Sequence, residues 1–284
     1  MNRTKEFINY CKVARRLSEG TCREYARALA CLVDHLKNKP LEKADPSDFI
    51  SILAQDFDKK LSASTINLKR AAWIAYFDFC CDFYPADGYS LNPARKIARA
   101  KQPKRLIKSI DLETLETFVA DIPCWCDDMK MKKAYLSFLL HTGLRASELC
   151  NLQKANILFD KNCISVIGKG NKQRLVPLCK AARHALEDAL KLNHTSSFVF
   201  IGSDGNKLTY NEMWIDFKVF FSGKIEESLN HPHTFRHSFA TYLVKKGISL
   251  FALQSILGHS EITTTAIYIH SNPESISHEI QLVF

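Results

Sequence analysis

The chain has 284 residues, a formal charge of +9, and a composition that is 46% hydrophobic and 24% charged, which is length and apolar content enough for two ordinary domains with real cores. It contains no apolar run of the roughly 18 residues that a membrane span needs. The N-terminal MNRTKEFINY carries charges where a secretion signal would need its apolar region, so a cytoplasmic protein with no membrane attachment is expected.

The ten cysteines all fall between Cys11 and Cys179 without a C-x-x-C pair. That spacing argues for reduced thiols used as small apolar core residues, and no metal site is expected.

From Arg3 to about Asp87 the periodicity is helical. Tyr10, Val13 and Leu17, then Tyr25, Ala28, Leu29, Leu32, Val33 and Leu36, recur at three- and four-residue spacing. Thr21 is the expected cap of the second helix, Pro46 and Ser47 open a third, and Ser64 or Thr65 caps a fourth. In the fourth, Leu68, Trp73, Ile74, Tyr76, Phe77 and Phe79 form an apolar stripe, expected as core rather than as a base-stacking surface. A bundle of about four helices follows, spanning residues 1–94. Lys12, Arg15, Arg16, Arg23, Arg27, Lys69 and Arg70 are individually weak candidates for phosphate contact.

Periodicity fails from Pro85 to Lys108. Residues 95–108 hold Arg95, Lys96, Arg99, Lys101, Lys104, Arg105 and Lys108 and no acid, which predicts a basic interdomain linker able to lie along a polyanion such as DNA. A solvated linker is the plainer alternative.

The second domain, 109–284, opens with a helix expected to be capped by Ser109, and Met131 to His141 reads as a buried helix ending at Gly143. Arg145 then sits in the opening turn of LRASELCNL. It is expected either to pair with Glu148 or to act as a buried anion-binding arginine. Residues 163–178 are the clear β signal, a hairpin whose Gly168-Lys169-Gly170-Asn171 turn projects Lys169. A lysine there is ordinarily just solvated, but neighbouring cations could fit it for proton donation. A helix over 180–192 and an amphipathic helix ending near Gly223 follow.

His231 to His270 then reads as three short helices. Pro232 and Thr234 start the first and Gly247 ends it; Ser249 and Gly258 bound the second; Ser260 caps the third, which carries Tyr268. His233 and Arg236, three residues apart at a helix N-terminus, form an expected anion site. The tail ends in apolar Ile280, Leu282, Val283 and Phe284, which are expected either to fold back or to dock on a neighbour.

Taken together, THTGLRASEL, VIGKGNKQRLVPL, HPHTFRHSFAT, LGHS and IYIH, in this order, resemble the tyrosine recombinase family, the phage integrase and Xer group, over about residues 105–270. The resemblance implies a mainly α protein with a small β-sheet: an N-terminal SAM-like, core-binding helical bundle and an α+β catalytic domain. Carried over residue by residue, it implies that Tyr268 is the nucleophile, Arg145 and Arg236 the two arginines, Lys169 the hairpin lysine, and His233 and His259 the two histidines. It further implies strand exchange through a 3′-phosphotyrosyl intermediate and a Holliday junction, with no cofactor, metal or ATP. The expected partners are double-stranded DNA with short inverted core sites and three further copies in a homotetramer. The tail would dock in trans, and a second recombinase or accessory protein is a further expected partner. The start of the bundle near Met1 favours a simple recombinase without an arm-binding domain. A type IB topoisomerase and a catalytically silent DNA-binding relative are the alternatives; the Xer-like wording weighs against the first and the complete set of six groups against the second. His141 and His237, which match no catalytic position, are expected to be structural.

Overall fold

The computed structural model describes residues 3–37, 39–102, 108–168 and 172–258. The expectations for Lys104, Arg105, Lys169, His259, Tyr268, the third C-terminal helix and the tail therefore lie outside the described residues. The chain divides into two compact units, 1–104 and 105–284.

In the first unit the four helices are α1 (Thr4–Val13), α2 (Glu19–Leu36), α3 (Pro46–Asp58) and α4 (Ala63–Phe83). Two caps differ from expectation. Ser18, not Thr21, caps α2, and Ser62, not Ser64 or Thr65, caps α4; each serine hydroxyl accepts from the amide three residues on, at 3.2 Å. The expected Thr21 and Thr65 instead sit in the first turn, with their hydroxyls bonded to the capping serines at 3.0 and 2.9 Å. Each helix thus starts before its apolar periodicity does, and a threonine one turn in imitates a cap. At α3, Asp45 caps the amide of Ser47, and Asp48 reaches back to the amide of Asp45, closing a capping box ahead of Pro46.

The aromatic stripe of α4 is core, as expected for its central members: Trp73, Tyr76 and Phe77 are buried against Phe7, Leu29, Leu32 and Phe49. The Trp73 indole donates to the Ala28 carbonyl at 3.0 Å, tying α4 to α2. Three of the weak candidates for phosphate contact have partners within the chain, Arg27 with Glu24 at 2.6 Å among them. Lys69 pairs with buried Asp56 at 2.7 Å, and Arg70 donates to the Ile97 carbonyl at 2.5 Å.

The stretch expected as a linker from residue 95 is packed onto α4 as far as Ala100. Ala94 and Ile97 are buried, and the Asn67 side chain exchanges two hydrogen bonds with the Ala100 backbone at 2.9 Å. Arg95 pairs with Asp78 at 2.9 Å, whereas Lys96, Arg99 and Lys101 are exposed.

The second unit contains α5 (Leu112–Ala120), α6 (Asp127–Thr142), α7 (Ala146–Cys150), β1 (Ile157–Leu158), β2 (Cys163–Ile167), β3 (Gln173–Pro177), α8 (Lys180–Leu192), α9 (Tyr210–Phe221), α10 (His233–Lys245) and α11 (Leu250–Leu257). Asp111, not Ser109, caps α5. The predicted hairpin is β2–β3, in register with Val166 opposite Arg174 and Ile164 opposite Val176. β1 adds an antiparallel edge, too short at two residues to show any alternation. Helix α6 is the buried centre, with Tyr135, Leu136, Phe138, Leu139 and Leu140 all packed in one core with α5, α8, α9 and the sheet. At α10 the Thr234 hydroxyl donates to the Leu229 carbonyl and does not cap an amide. All ten cysteines are free, five of them buried and Cys124 and Cys179 exposed, so only half serve as the expected core residues.

Candidate active site

Three arginines from three elements converge on the C-terminus of α11. The last carbonyls of any helix have no intrahelical donor, and the helix dipole makes that end partly negative. Here the orphans are taken by guanidinium groups. Arg174 of β3 donates through Nε to the Ile256 carbonyl at 2.7 Å, Arg236 of α10 through Nη2 to the Leu257 carbonyl at 2.7 Å, and Arg145 through Nη2 to the Gly258 carbonyl at 3.3 Å. Arg236 also donates from Nη1 to the Gly143 carbonyl at 2.7 Å. That second contact links it to the turn that delivers Arg145.

Glycine is required at both turns. Gly143 ends α6 with φ +60° and Gly258 ends α11 with φ +66°, the left-handed region that L side chains rarely adopt. A Cβ at Gly143 would run into the Phe239 ring, and one at Gly258 would lie 2.8 Å from Cδ of Arg174. Gly258→Ala is therefore expected to destabilise the protein by about 1–3 kcal/mol, read as a lower urea midpoint at unchanged m. An unchanged midpoint would show that the arginines do not crowd this turn.

Glu148 binds two of the arginines. Its Oε1 accepts from Nη1 of Arg145 and Nη1 of Arg174, both at 2.8 Å, and its Oε2 accepts from Nη2 of Arg174 and from the Arg145 amide, both at 2.8 Å. Burial pushes the carboxyl upward, but the Arg174 hydrogen bond, the Arg145 amide and the two positive charges outweigh it and bring the pKa down to about 2. The carboxylate is thus ionised at neutral pH. Of the two expectations for Arg145 the pairing with Glu148 is present, while its side chain is not buried: it is 26% exposed beside a cavity of about 430 Å³ lined also by Ser147, Asn151, Asn156 and Ser165. Three guanidinium groups against one carboxylate leave the cluster cationic, as an anion site needs.

His233 begins α10 and is solvent-accessible. Protein packed around its ring lowers its pKa below the ordinary 6.5, and the positive charges of Arg236, His231 and Arg145 push the same way. A neutral imidazole is the form that accepts a proton. If His233 is the base, single-turnover cleavage measured at limiting protein should hold down to pH 6.5 and fall only below it, as the ring takes its proton. A limb centred at or above 6.5, or one unmoved in His233→Gln, would refute the role.

Of the two histidines expected to be structural, His141 is held by its own surroundings. His141 lies between the Ser137 carbonyl and Glu116, each at 2.8 Å. His237, its ring 6.3 Å from that of His233, is lowered to about 4 by burial and then by His233, His231 and Arg236.

Two flanking residues bear on the positions outside the described chain. A Cβ on Gly168, the residue before Lys169, would meet Arg174 Nη1 at 3.2 Å and Glu148 Oε1 at 3.4 Å. Gly258, the residue before His259, carries the carbonyl that Arg145 uses. Gly168 and Gly258 thus both border the cationic cluster. Lys108, expected on DNA, pairs with Glu226 at 2.9 Å.

Arg174, and with it a second arginine on Glu148, was not anticipated. The signal was present in β3, where Arg174 shares the inward face with buried Val176 between exposed Gln173 and Leu175. An arginine on the core face of a strand needs a buried partner.

Residues 108–275 match the Phage integrase family, and residues 4–82 match its N-terminal SAM-like domain. The tyrosine recombinase XerC of Mannheimia succiniciproducens is 30% identical over 278 residues, covering 94% of this chain and 92% of its own. That of Haemophilus influenzae is 30% identical over 276 residues, covering 94% and 91%. Among solved structures, the XerH site-specific recombinase bound to a palindromic difH substrate superposes with a TM-score of 0.76 at 21% identity, over 98% of this chain and 84% of that one. The Tn1549 transposon integrase in complex with a circular intermediate DNA gives 0.76 at 21% identity over the whole of both chains. At that identity the likeness speaks to the fold alone.

Proposed function

The chain belongs to the phage integrase family, and on that premise we propose that it is a site-specific DNA recombinase of the tyrosine type. The observation that carries this reading is the gathering of Arg145 and Arg236 on one helix end, with His233 at the start of the helix that supplies Arg236. In-line attack on a phosphodiester builds charge on its non-bridging oxygens, and forked guanidinium donors held in place meet that charge without rearranging. Tyr268 attacks phosphorus, its proton passing to His233; Lys169 protonates the departing 5′ oxygen, and His259 donates to the phosphate. The product is a 3′-phosphotyrosyl bond and a free 5′-hydroxyl. Attack on that bond by a 5′-hydroxyl from a second duplex restores the phosphodiester and releases the tyrosine, so the bond energy is conserved. Two such exchanges pass through a Holliday junction in a homotetramer, with the apolar tail docking on a neighbouring protomer.

Double-stranded DNA is the partner that the DNA-bound relatives support. Among the described residues of the basic stretch, Lys96, Arg99 and Lys101, exposed on the first unit, are the best placed for phosphate contact. Arg95 and Lys108 would share their charge with Asp78 and Glu226. The test is attachment to a nicked suicide duplex built around a site selected by binding from random sequence, in chelator and without ATP. A 3′-linked covalent adduct with a free 5′-hydroxyl is expected; a 5′-linked adduct, or none on a duplex the protein binds tightly, overturns the assignment.

A further inference from the structure

The carboxylate of Glu148 poses a difficulty for the chemistry just described. It lies 2.8 Å from Nη1 of Arg145, and a one-to-one pair of that kind is electrically neutral. An arginine meant to stabilise developing phosphate charge would be largely spent on it. Yet the same carboxylate holds the Arg145 amide and so fixes the turn from which that side chain projects. The site needs Glu148 for geometry and needs its charge taken up elsewhere.

We propose that Arg174 is a positioning residue for strand cleavage: by binding both oxygens of Glu148 it leaves Arg145 its positive charge for the scissile phosphate while keeping the carboxylate that orients it. This rests on the recombinase reading above. Three donors of Arg174 are committed at once, Nη1 and Nη2 to the two carboxylate oxygens at 2.8 Å and Nε to the Ile256 carbonyl at 2.7 Å. A planar fork can satisfy all three, whereas a lysine ammonium is a single point charge. Arg174 is 11% exposed and Glu148 4%, against 26% for Arg145, so of the trio Arg145 is the one that faces solvent. The contact to Ile256 also ties β3 to the end of α11, one and two residues before the carbonyls that hold Arg236 and Arg145. Arg174 thus joins the strand that follows Lys169 to the helix that precedes His259.

The test compares single-turnover cleavage of the suicide duplex with duplex affinity by fluorescence anisotropy, in the full-length protein. In Arg174→Met, Glu148 is left to Arg145 alone, and cleavage should fall by about a hundredfold, the usual effect of disabling one charge-stabilising donor, with affinity within about twofold, as only one of many phosphate contacts is altered. Adding Glu148→Gln to that variant removes the neutralising charge and should restore cleavage by about tenfold or more, a coupling that a purely structural loss would not give. Should Arg174→Met fail to fold by circular dichroism, Arg174→Lys decides: slower cleavage at unchanged affinity supports the role, and wild-type cleavage overturns it. A double variant no faster than Arg174→Met, or affinity lost in parallel with cleavage in either single variant, also overturns it. Absence of cleavage by the wild-type protein would instead count against the recombinase reading, so the two failures are separable.

Discussion

Tyr268→Phe is expected to abolish covalent attachment to the suicide duplex, by at least about 10⁴-fold, as removal of a nucleophile does, while leaving duplex affinity within about twofold, since it deletes one oxygen and keeps the ring. The expectation rests on the resemblance, in which Tyr268 of IYIH matches the nucleophile, and the described tyrosines supply the controls. The chain has nine tyrosines, and several described ones are unfit to become phenolate. Burial raises the pKa of Tyr76 and Tyr135, and Tyr89 is pushed up to about 12. Tyr135 also donates to the Asp216 carboxylate, which further holds its proton. In the second unit this leaves Tyr210 on α9 and Tyr242 on α10 as the alternatives to Tyr268. The measurement is a denaturing gel that separates the protein–DNA adduct from free strand, with Tyr210→Phe and Tyr242→Phe beside it. An adduct that survives in Tyr268→Phe and disappears in either of the others would move the nucleophile and undo the assignment of the C-terminal stretch.

What could be read in the sequence, and what could not, follows the range of the forces involved. Local signals served well. Gly143 and Gly258 marked helix ends because only the left-handed region closes those turns, and Ser249 marked the start of α11 because its hydroxyl accepts the Ala252 amide. Local signals failed where two residues could perform the same task, as at Ser18 and Thr21, since capping depends on which amide the hydroxyl reaches. The resemblance brought forward Arg145, Arg236 and His233, and the described site gathers all three. Composition said nothing of where a charge is spent. Lys69, Arg70 and Arg95 belong to the basic total, yet each is bound to Asp56, the Ile97 carbonyl or Asp78. The packing of residues 95–100 on α4 was hidden because Ala94 and Ile97 bury two isolated side chains with no period to announce them. Arg174 was hidden for a related reason, its partners being distant in sequence at Glu148 and Ile256.

Arg236 offers the second large effect and a way to divide structural from chemical roles. The residue is 3% exposed, and its Nη1 and Nη2 reach the Gly143 and Leu257 carbonyls, each at 2.7 Å. Arg236→Ala deprives both carbonyls of that donor in a buried place, and at about 1–3 kcal/mol for each buried polar group left unpaired the protein should lose roughly 2–6 kcal/mol. Cleavage should fall by about 10³-fold, the upper range for removing one transition-state donor. Those two losses are entangled in the alanine variant, and Arg236→Lys separates them. An ammonium keeps the charge and can donate to one or both carbonyls, so much of the stability should return in urea denaturation. It cannot also present a planar fork to a phosphate, so cleavage should stay at least about tenfold below wild type, the worth of one lost charge-assisted hydrogen bond. Cleavage by Arg236→Lys within about threefold of wild type, a difference of less than 1 kcal/mol, would mean that charge alone suffices at this position. The two carbonyl contacts would then serve to hold α10, α11 and the Gly143 turn together, with the forked recognition of phosphate left to Arg145.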